Sequence, residues 1–183
     1  MSTPEPAVAG PRSIFLVGPM GSGKTAVGRR LAQALDLEFI DSDDEIEARA
    51  GVDIPFIFER EGEAGFRDRE RKAIDELTAR PGIVLATGGG SAMDPGNRAC
   101  LHDRGFVVYL HTGIDQQLRR TRGGRPRPML ATGDPREVLA RLMAVREPQY
   151  REIAHLVVAT DGRKVSAVVD EIRGGLPGAA PAP

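Results

Sequence analysis

Ser13-Ile-Phe-Leu-Val-Gly18-Pro-Met-Gly21-Ser-Gly23-Lys24-Thr25 is an apolar run that breaks into glycines and ends in Lys-Thr. Residues 14–17 read as a buried strand, and Val27, Leu31, Ala34 and Leu35 recur at helical spacing after the glycines. Gly18, Gly23, Lys24 and Thr25 match G-x-x-x-x-G-K-[ST] between that strand and that helix, the context in which the pattern forms a phosphate-binding loop. Backbone N–H groups must crowd around phosphate oxygens, and side chains at the glycine positions would block that approach. The nucleotide contacts expected here are Gly21, Ser22, Gly23, Lys24, Thr25 and Ala26. Lys24 reaches the β- and γ-phosphates as a catalytic cation, and the Thr25 hydroxyl sits on Mg²⁺. The competing reading, a strand, turn and helix that only pack, leaves the Lys-Thr pair unexplained.

Composition narrows the rest. A chain of 183 residues fits one domain with an adequate core. Formal net charge is −1 and aromatics make up 4% with no Trp, so neither a basic excess nor a stacking surface points to nucleic acid. The single cysteine, Cys100, cannot close an internal disulfide, and no Cys/His spacing suggests zinc. No run is apolar enough to span a bilayer, and residues 1–11 lack the basic and apolar regions of an export signal, so the expectation is a cytoplasmic protein off the membrane.

Strands are expected at 14–17, 37–40, 83–86, 106–110 and 155–159, separated by helical stretches. Alternation of this kind gives an α/β fold with a parallel sheet flanked by helices. Residues 46–80 are helical in pattern but broken at Gly51 and at Glu61-Gly62, with Asp53 capping a helix that has Pro55 in its first turn. Phe66, Ala73, Ile74 and Leu77 form an apolar stripe on it. A Gly-, Pro- and Arg-rich loop covers about 122–135, and Asp134-Pro135 caps the next helix. The domain proper is expected over 12–173, with residues 1–11 and 174–183 disordered for their Pro/Ala/Gly content.

Most P-loop ATPases hold Mg²⁺ partly through an Asp that ends an apolar strand. Here the third strand ends in Thr87-Gly88-Gly89-Gly90, so the role falls to Asp41, which follows the second strand. Asp43, two residues on, points to the same side if the strand conformation continues, and is a candidate to grip or deprotonate a substrate hydroxyl. Asp44 and Glu45 are read only as acids at a helix start. Gly88, Gly89 and Gly90 suggest backbone passing close to a bound molecule. Periodicity alone does not single out Arg67, Arg127 or Arg146.

Together these residues resemble the shikimate kinases. The likeness runs over about 13–173 and rests on five ordered blocks: Gly18-Pro-Met-Gly-Ser-Gly-Lys-Thr25; Phe39-Ile-Asp-Ser-Asp43 with Ile46-Glu47; Ile57-Phe58-Glu59 with Gly62-Glu63 and Phe66-Arg67; Thr87-Gly-Gly-Gly90; and Arg127-Pro-Met-Leu130 followed by Arg146-Glu-Pro-Gln-Tyr150. The resemblance implies a three-layer P-loop NTPase fold of the nucleoside-monophosphate-kinase type, with a five-stranded parallel sheet. A lid at about 122–135 and a helical substrate-binding region at about 43–80 complete it. The implied reaction is transfer of the γ-phosphate of ATP to the 3-hydroxyl of shikimate, by a monomer. By the same likeness Asp43 binds shikimate hydroxyls and helps to deprotonate the attacking one. Arg67 and Arg146 hold the carboxylate, for which planar guanidinium forks suit, and Gly88 to Gly90 close around the substrate. Arg127 is the lid arginine over ATP and substrate, Arg120 lies near the nucleotide and Arg163 stacks on adenine. Met129 stands where leucine is more usual, and Arg125 adds a second lid cation. Two alternatives stay open: another small-metabolite kinase of this fold, such as a gluconate or nucleoside-monophosphate kinase, and a non-catalytic nucleotide-binding regulatory module.

Overall fold

The computed structural model describes residues 12–123, 130 and 133–178. Five parallel strands, β1 (Ile14–Val17), β2 (Glu38–Asp41), β3 (Ile83–Ala86), β4 (Phe106–His111) and β5 (Leu156–Ala159), form one sheet in the order β2-β3-β1-β4-β5. β1 is central and every residue in it is buried. Successive side chains of a strand point to opposite faces. Phe15 and Val17 therefore join a core with Ile74, Leu77 and Leu101, whereas Ile14 and Leu16 join one with Val27, Leu31 and Val169. The first core is closed by α3 (Ile54–Thr78), α4 (Pro95–Arg104) and α6 (Pro135–Ile153), the second by α1 (Lys24–Leu35) and α7 (Val165–Gly175). Two buried faces explain why the strands read as continuous apolar runs. α2 (Ser42–Ala50) follows β2, and α5 (Ile114–Thr121) follows β4.

The helix starts are written locally. Asp53, Asp94 and Asp134 each accept a backbone N–H of the first turn, from Phe56, Asn97 and Arg136 respectively, and each helix has proline at its first or second position. The break expected at Glu61-Gly62 is present: Gly62 has φ 71° and ψ −177° inside α3, a conformation that divides it into two helical segments. Phe66, Ala73, Ile74 and Leu77 are all buried, as their spacing requires.

Several boundaries differ from the sequence reading. β2 runs to Asp41 and the chain turns helical at Ser42, so Asp43 is not carried to the site by strand alternation; it lies in the first turn of α2. The reason is local, because the Asp41 carboxylate accepts from Asp43 N at 2.9 Å and caps the helix. β4 extends to His111, whose carbonyl is held by Thr160 N. α7 continues past Arg173 to Gly175, and Leu176 packs on the second core, so ordered packing reaches beyond the expected boundary at 173. Residues 1–11 and 179–183 lie outside the described residues, as do Arg125, Arg127 and Met129 in the expected lid.

Candidate active site

Parallel strands bring their carboxyl ends to one edge of the sheet, where ligands of open α/β sheets bind. Leu16 and Asp41 both register against Ala86, so the phosphate loop, Asp41 and the glycine triplet leave the sheet side by side. Gly23 takes the αL conformation (φ 88°) immediately before α1, a geometry suited to a residue without Cβ. The loop folds around Lys24, whose Nζ donates to the carbonyls of Gly18 (2.7 Å) and Pro19 (2.8 Å). Arg120 of α5 crosses to the loop and donates to Gly21 O at 3.0 Å.

Thr25 Oγ1 donates to Asp41 Oδ2 at 3.0 Å. The two predicted Mg²⁺ ligands are therefore adjacent, and the other oxygen of Asp41 holds the start of α2. Among the described residues no three His, Cys, Asp or Glu side chains gather into a metal cage. A hydroxyl beside one carboxylate suits a hard cation that keeps waters and takes its remaining ligands from phosphate.

Beyond Asp41 a cavity of about 510 Å³ opens, lined by Asp43, Arg67, Gly88, Gly89, Gly90 and Arg146. All six substrate-site candidates thus meet on one wall system. The triplet is small for a reason visible at each position. A Cβ added at Gly88 would stand 2.8 Å from Asp43 Oδ1, one at Gly89 3.2 Å from Arg146 Nη1, and one at Gly90 2.6 Å from Arg67 Nη2. Each glycine therefore makes room for one of the three charged side chains, which any larger residue would displace.

The two cations are held differently. Arg67 Nη1 donates to Glu70 at 2.7 Å, with Glu63 at 3.4 Å. Burial works against the charged guanidinium, but the Glu70 and Glu63 carboxylates together outweigh it and keep Arg67 a firmer cation than usual. Arg146 is 6% exposed, on the buried face of α6 with Leu139, Met143, Tyr150 and Ile153. Its place on that apolar stripe, at 139, 143, 146, 150 and 153, corrects the reading that periodicity does not single it out. A charged residue at a core position is rare unless it is paired or used.

Several residues escaped the sequence reading. Glu70, 1% exposed, accepts from Arg67 with one oxygen and from Ser91 Oγ (2.6 Å) with the other, bridging the arginine to the turn after the glycines. Its signal was available: Glu70 falls on the stripe of Phe66, Ala73, Ile74 and Leu77, three residues after Arg67. Asp44, in the first turn of α2, also lines the cavity, whereas Glu45 pairs with Arg49 at 2.7 Å. Met20, Ile54, Pro55, Phe58 and Phe66 supply an apolar side, and Glu47 both lines the cavity and accepts from Ile54 N at 3.0 Å. Arg163 is not on the cavity. It donates to Ala159 O at 2.9 Å and pairs with Glu171 at 2.6 Å, on the loop after β5. Asp161 of that loop accepts from Gly113 N at 2.8 Å and from the Thr112 hydroxyl, which ties the loops after β4 and β5 together.

A phosphate loop, an adjoining hydroxyl–carboxylate pair and a separate polar cavity that opens from them define a P-loop kinase of a small molecule. Residues 20–176 match the family model described as shikimate kinase. The shikimate kinase of Thioalkalivibrio sulfidiphilus is 58% identical over 160 residues, covering 87% of this chain and 84% of that one. That of Halorhodospira halophila is 57% identical over 162 residues, covering 88% and 92%. A solved structure of shikimate kinase from Acinetobacter baumannii in complex with shikimate superposes with a TM-score of 0.88 at 47% identity, covering 92% of this chain and 94% of that one. The chain belongs to the shikimate kinase family, whose members are ATP-dependent kinases.

Proposed function

We propose that this chain transfers the γ-phosphate of ATP to the 3-hydroxyl of shikimate, giving 3-phosphoshikimate and ADP. One observation carries the reading: Arg67 and Arg146 face the same cavity as Asp43, each against one glycine of the triplet. An acceptor that fits carries an anionic group for the two guanidinium forks and a hydroxyl for the carboxylate, on a ring small enough for the space and apolar enough for Phe58 and Phe66. Arg67 and Arg146 bind the substrate carboxylate, Gly88 to Gly90 bring backbone against the ring, and Asp43 orients the attacking hydroxyl and accepts its proton. Residues 43–80 form the substrate-binding region and 122–135 the lid. The glycines of the phosphate loop, Ser22, Lys24, Thr25 and Ala26 hold the triphosphate, with Arg120 beside it and Arg163 at the adenine. Thr25 and Asp41 hold Mg²⁺, which offsets charge on the β- and γ-phosphates when bound. With little covalent chemistry for the protein to perform, positioning and charge neutralisation supply most of the rate.

We place the enzyme in the cytoplasm as a monomer, in keeping with its lone cysteine and with the absence, among the described residues, of any helix able to cross a membrane. A coupled ADP-release assay tests the substrate. Turnover that appears with shikimate and not with gluconate or a nucleoside monophosphate supports the assignment; ADP release at the background rate in the presence of shikimate defeats it. A regulatory module without catalysis would instead bind ATP and turn over nothing.

The Arg67 assignment makes a separate prediction. Arg67→Ala raises KM for shikimate about a hundredfold, the scale of truncating one partner of a buried charged pair. KM for ATP stays near the wild-type value, and the thermal midpoint drops because buried Glu70 loses its cation. Weakened ATP binding with shikimate binding intact would overturn this placement.

A further inference from the structure

Tyr150 is 1% exposed and takes no part in the cavity wall, yet its hydroxyl is aimed at the site from behind. It donates to the carbonyl of Gly89, the middle glycine of the triplet, and the positive charge of Arg146, one turn earlier on α6, acts on it. Gly89 and the Arg146 guanidinium are themselves in close approach, with Nη1 3.2 Å from where a Cβ of Gly89 would be. The phenol therefore closes a three-member cluster whose other two members both line the cavity. Burial pushes the Tyr150 hydroxyl up to about 12, with Arg146 partly opposing, so it remains a proton donor throughout the working range. Its ring is fixed independently, packed 5.1 Å from that of Tyr109.

From this geometry we infer that Tyr150 is a positioning residue for the carboxylate end of the acceptor, locking the Arg146 fork and the Gly89–Gly90 peptide in register with each other. A trans peptide is planar, so holding the Gly89 carbonyl on the Tyr150 side turns the Gly90 N–H to the opposite side. A guanidinium that must bind a carboxylate with two parallel hydrogen bonds tolerates little rotation, and Tyr150 limits that rotation from the side remote from substrate. The inference deepens the proposed function, since it rests on Arg146 binding the acceptor's anionic group.

Tyr150→Phe keeps the ring and removes only the hydroxyl. In steady-state assays we expect KM for shikimate to rise about tenfold, equivalent to about 1.4 kcal/mol, with KM for ATP essentially unchanged. Tyr109→Phe is the control, because the buried Tyr109 hydroxyl has no hydrogen-bond partner among the described residues and its loss leaves both KM values as they are. Arg146→Lys alone and combined with Tyr150→Phe completes a double-mutant cycle. Action through Arg146 makes the combined loss smaller than the product of the two single losses. A fully multiplicative loss, or an equal weakening of both substrates in Tyr150→Phe, overturns the inference in favour of simple packing. Failure of the wild type to phosphorylate shikimate would strike the functional reading instead. The crystal structure of Tyr150→Phe then decides the positioning role, and Arg146 and Gly89 found undisplaced would overturn it.

Discussion

Asp43→Asn lowers kcat by about 10²–10⁴-fold, the usual contribution of a positioned general base. The substitution is nearly isosteric and the amide can still hydrogen-bond a hydroxyl, so KM for shikimate moves much less than kcat. What it removes is the negative charge that, in the proposed mechanism, accepts the proton as the acceptor oxygen attacks. The structure gives that charge a defined neighbourhood. Asp41 holds Asp43 N with one oxygen and the Thr25 hydroxyl with the other, so the end of the phosphate loop, the acid proposed for Mg²⁺ and the base candidate lie in one hydrogen-bonded chain. On the far side Gly88 lets backbone approach Asp43 Oδ1 more closely than any Cβ would permit. The competing account makes Asp43 only a favourable charge at the start of α2, worth about 0.3–1 kcal/mol of stability. The two are separated by measuring single-turnover rate and thermal midpoint on the same preparation. A slightly lower midpoint with the rate unchanged would leave Asp43 as a helix-start residue and move proton acceptance elsewhere.

Arg127→Ala should cost about 10³-fold in kcat, the scale on which an arginine stabilises the transition state of phosphoryl transfer. KM for shikimate changes only severalfold, because the contact strengthens as charge develops and contributes little to ground-state binding. Residues 124–129 lie outside those described, but the elements on either side are set. Arg120, near the end of α5, already touches the phosphate loop at Gly21. Arg136 at the start of α6 pairs with Asp115 at the start of α5. α5 therefore ends beside the phosphate loop, and the six residue steps from Thr121 to Arg127 span at most about 20 Å at full extension. Arg125→Ala is the informative companion. A larger kcat loss there than in Arg127→Ala would transfer the role to Arg125, and a change confined to KM in Arg127→Ala would remove it from the transition state.

Much of the site was legible because it is built from residues whose chemistry is local. The phosphate loop is contiguous, so spacing alone located Lys24 and Thr25. Asp41 follows by elimination, since a strand ending in Thr87-Gly88-Gly89-Gly90 offers no acid, and the structure places it 3.0 Å from the Thr25 hydroxyl. Arg67 is legible only through family resemblance, whereas its partner Glu70 carries a readable signal, a charge on an apolar stripe. Arg146 carried the same anomaly on α6. Strand alternation does not carry Asp43 to the site, because a capping carboxylate ends β2 two residues before it.

By itself the sequence determined the alternation of strands and helices, the helix starts, the nucleotide loop and the identity of the charged residues. Periodicity, capping and phosphate binding all act within a few residues of chain, where neighbours in sequence are neighbours in space. Only the tertiary structure decided which of those charges meet. Residues from β2, α2, α3, the loop after β3 and α6 reach one cavity because parallel strands in register carry their ends to one edge. The three glycines then admit Asp43, Arg146 and Arg67 one by one. Tyr150 shows the limit most clearly, because nothing near it in sequence names Gly89, sixty-one residues earlier, as the carbonyl it holds.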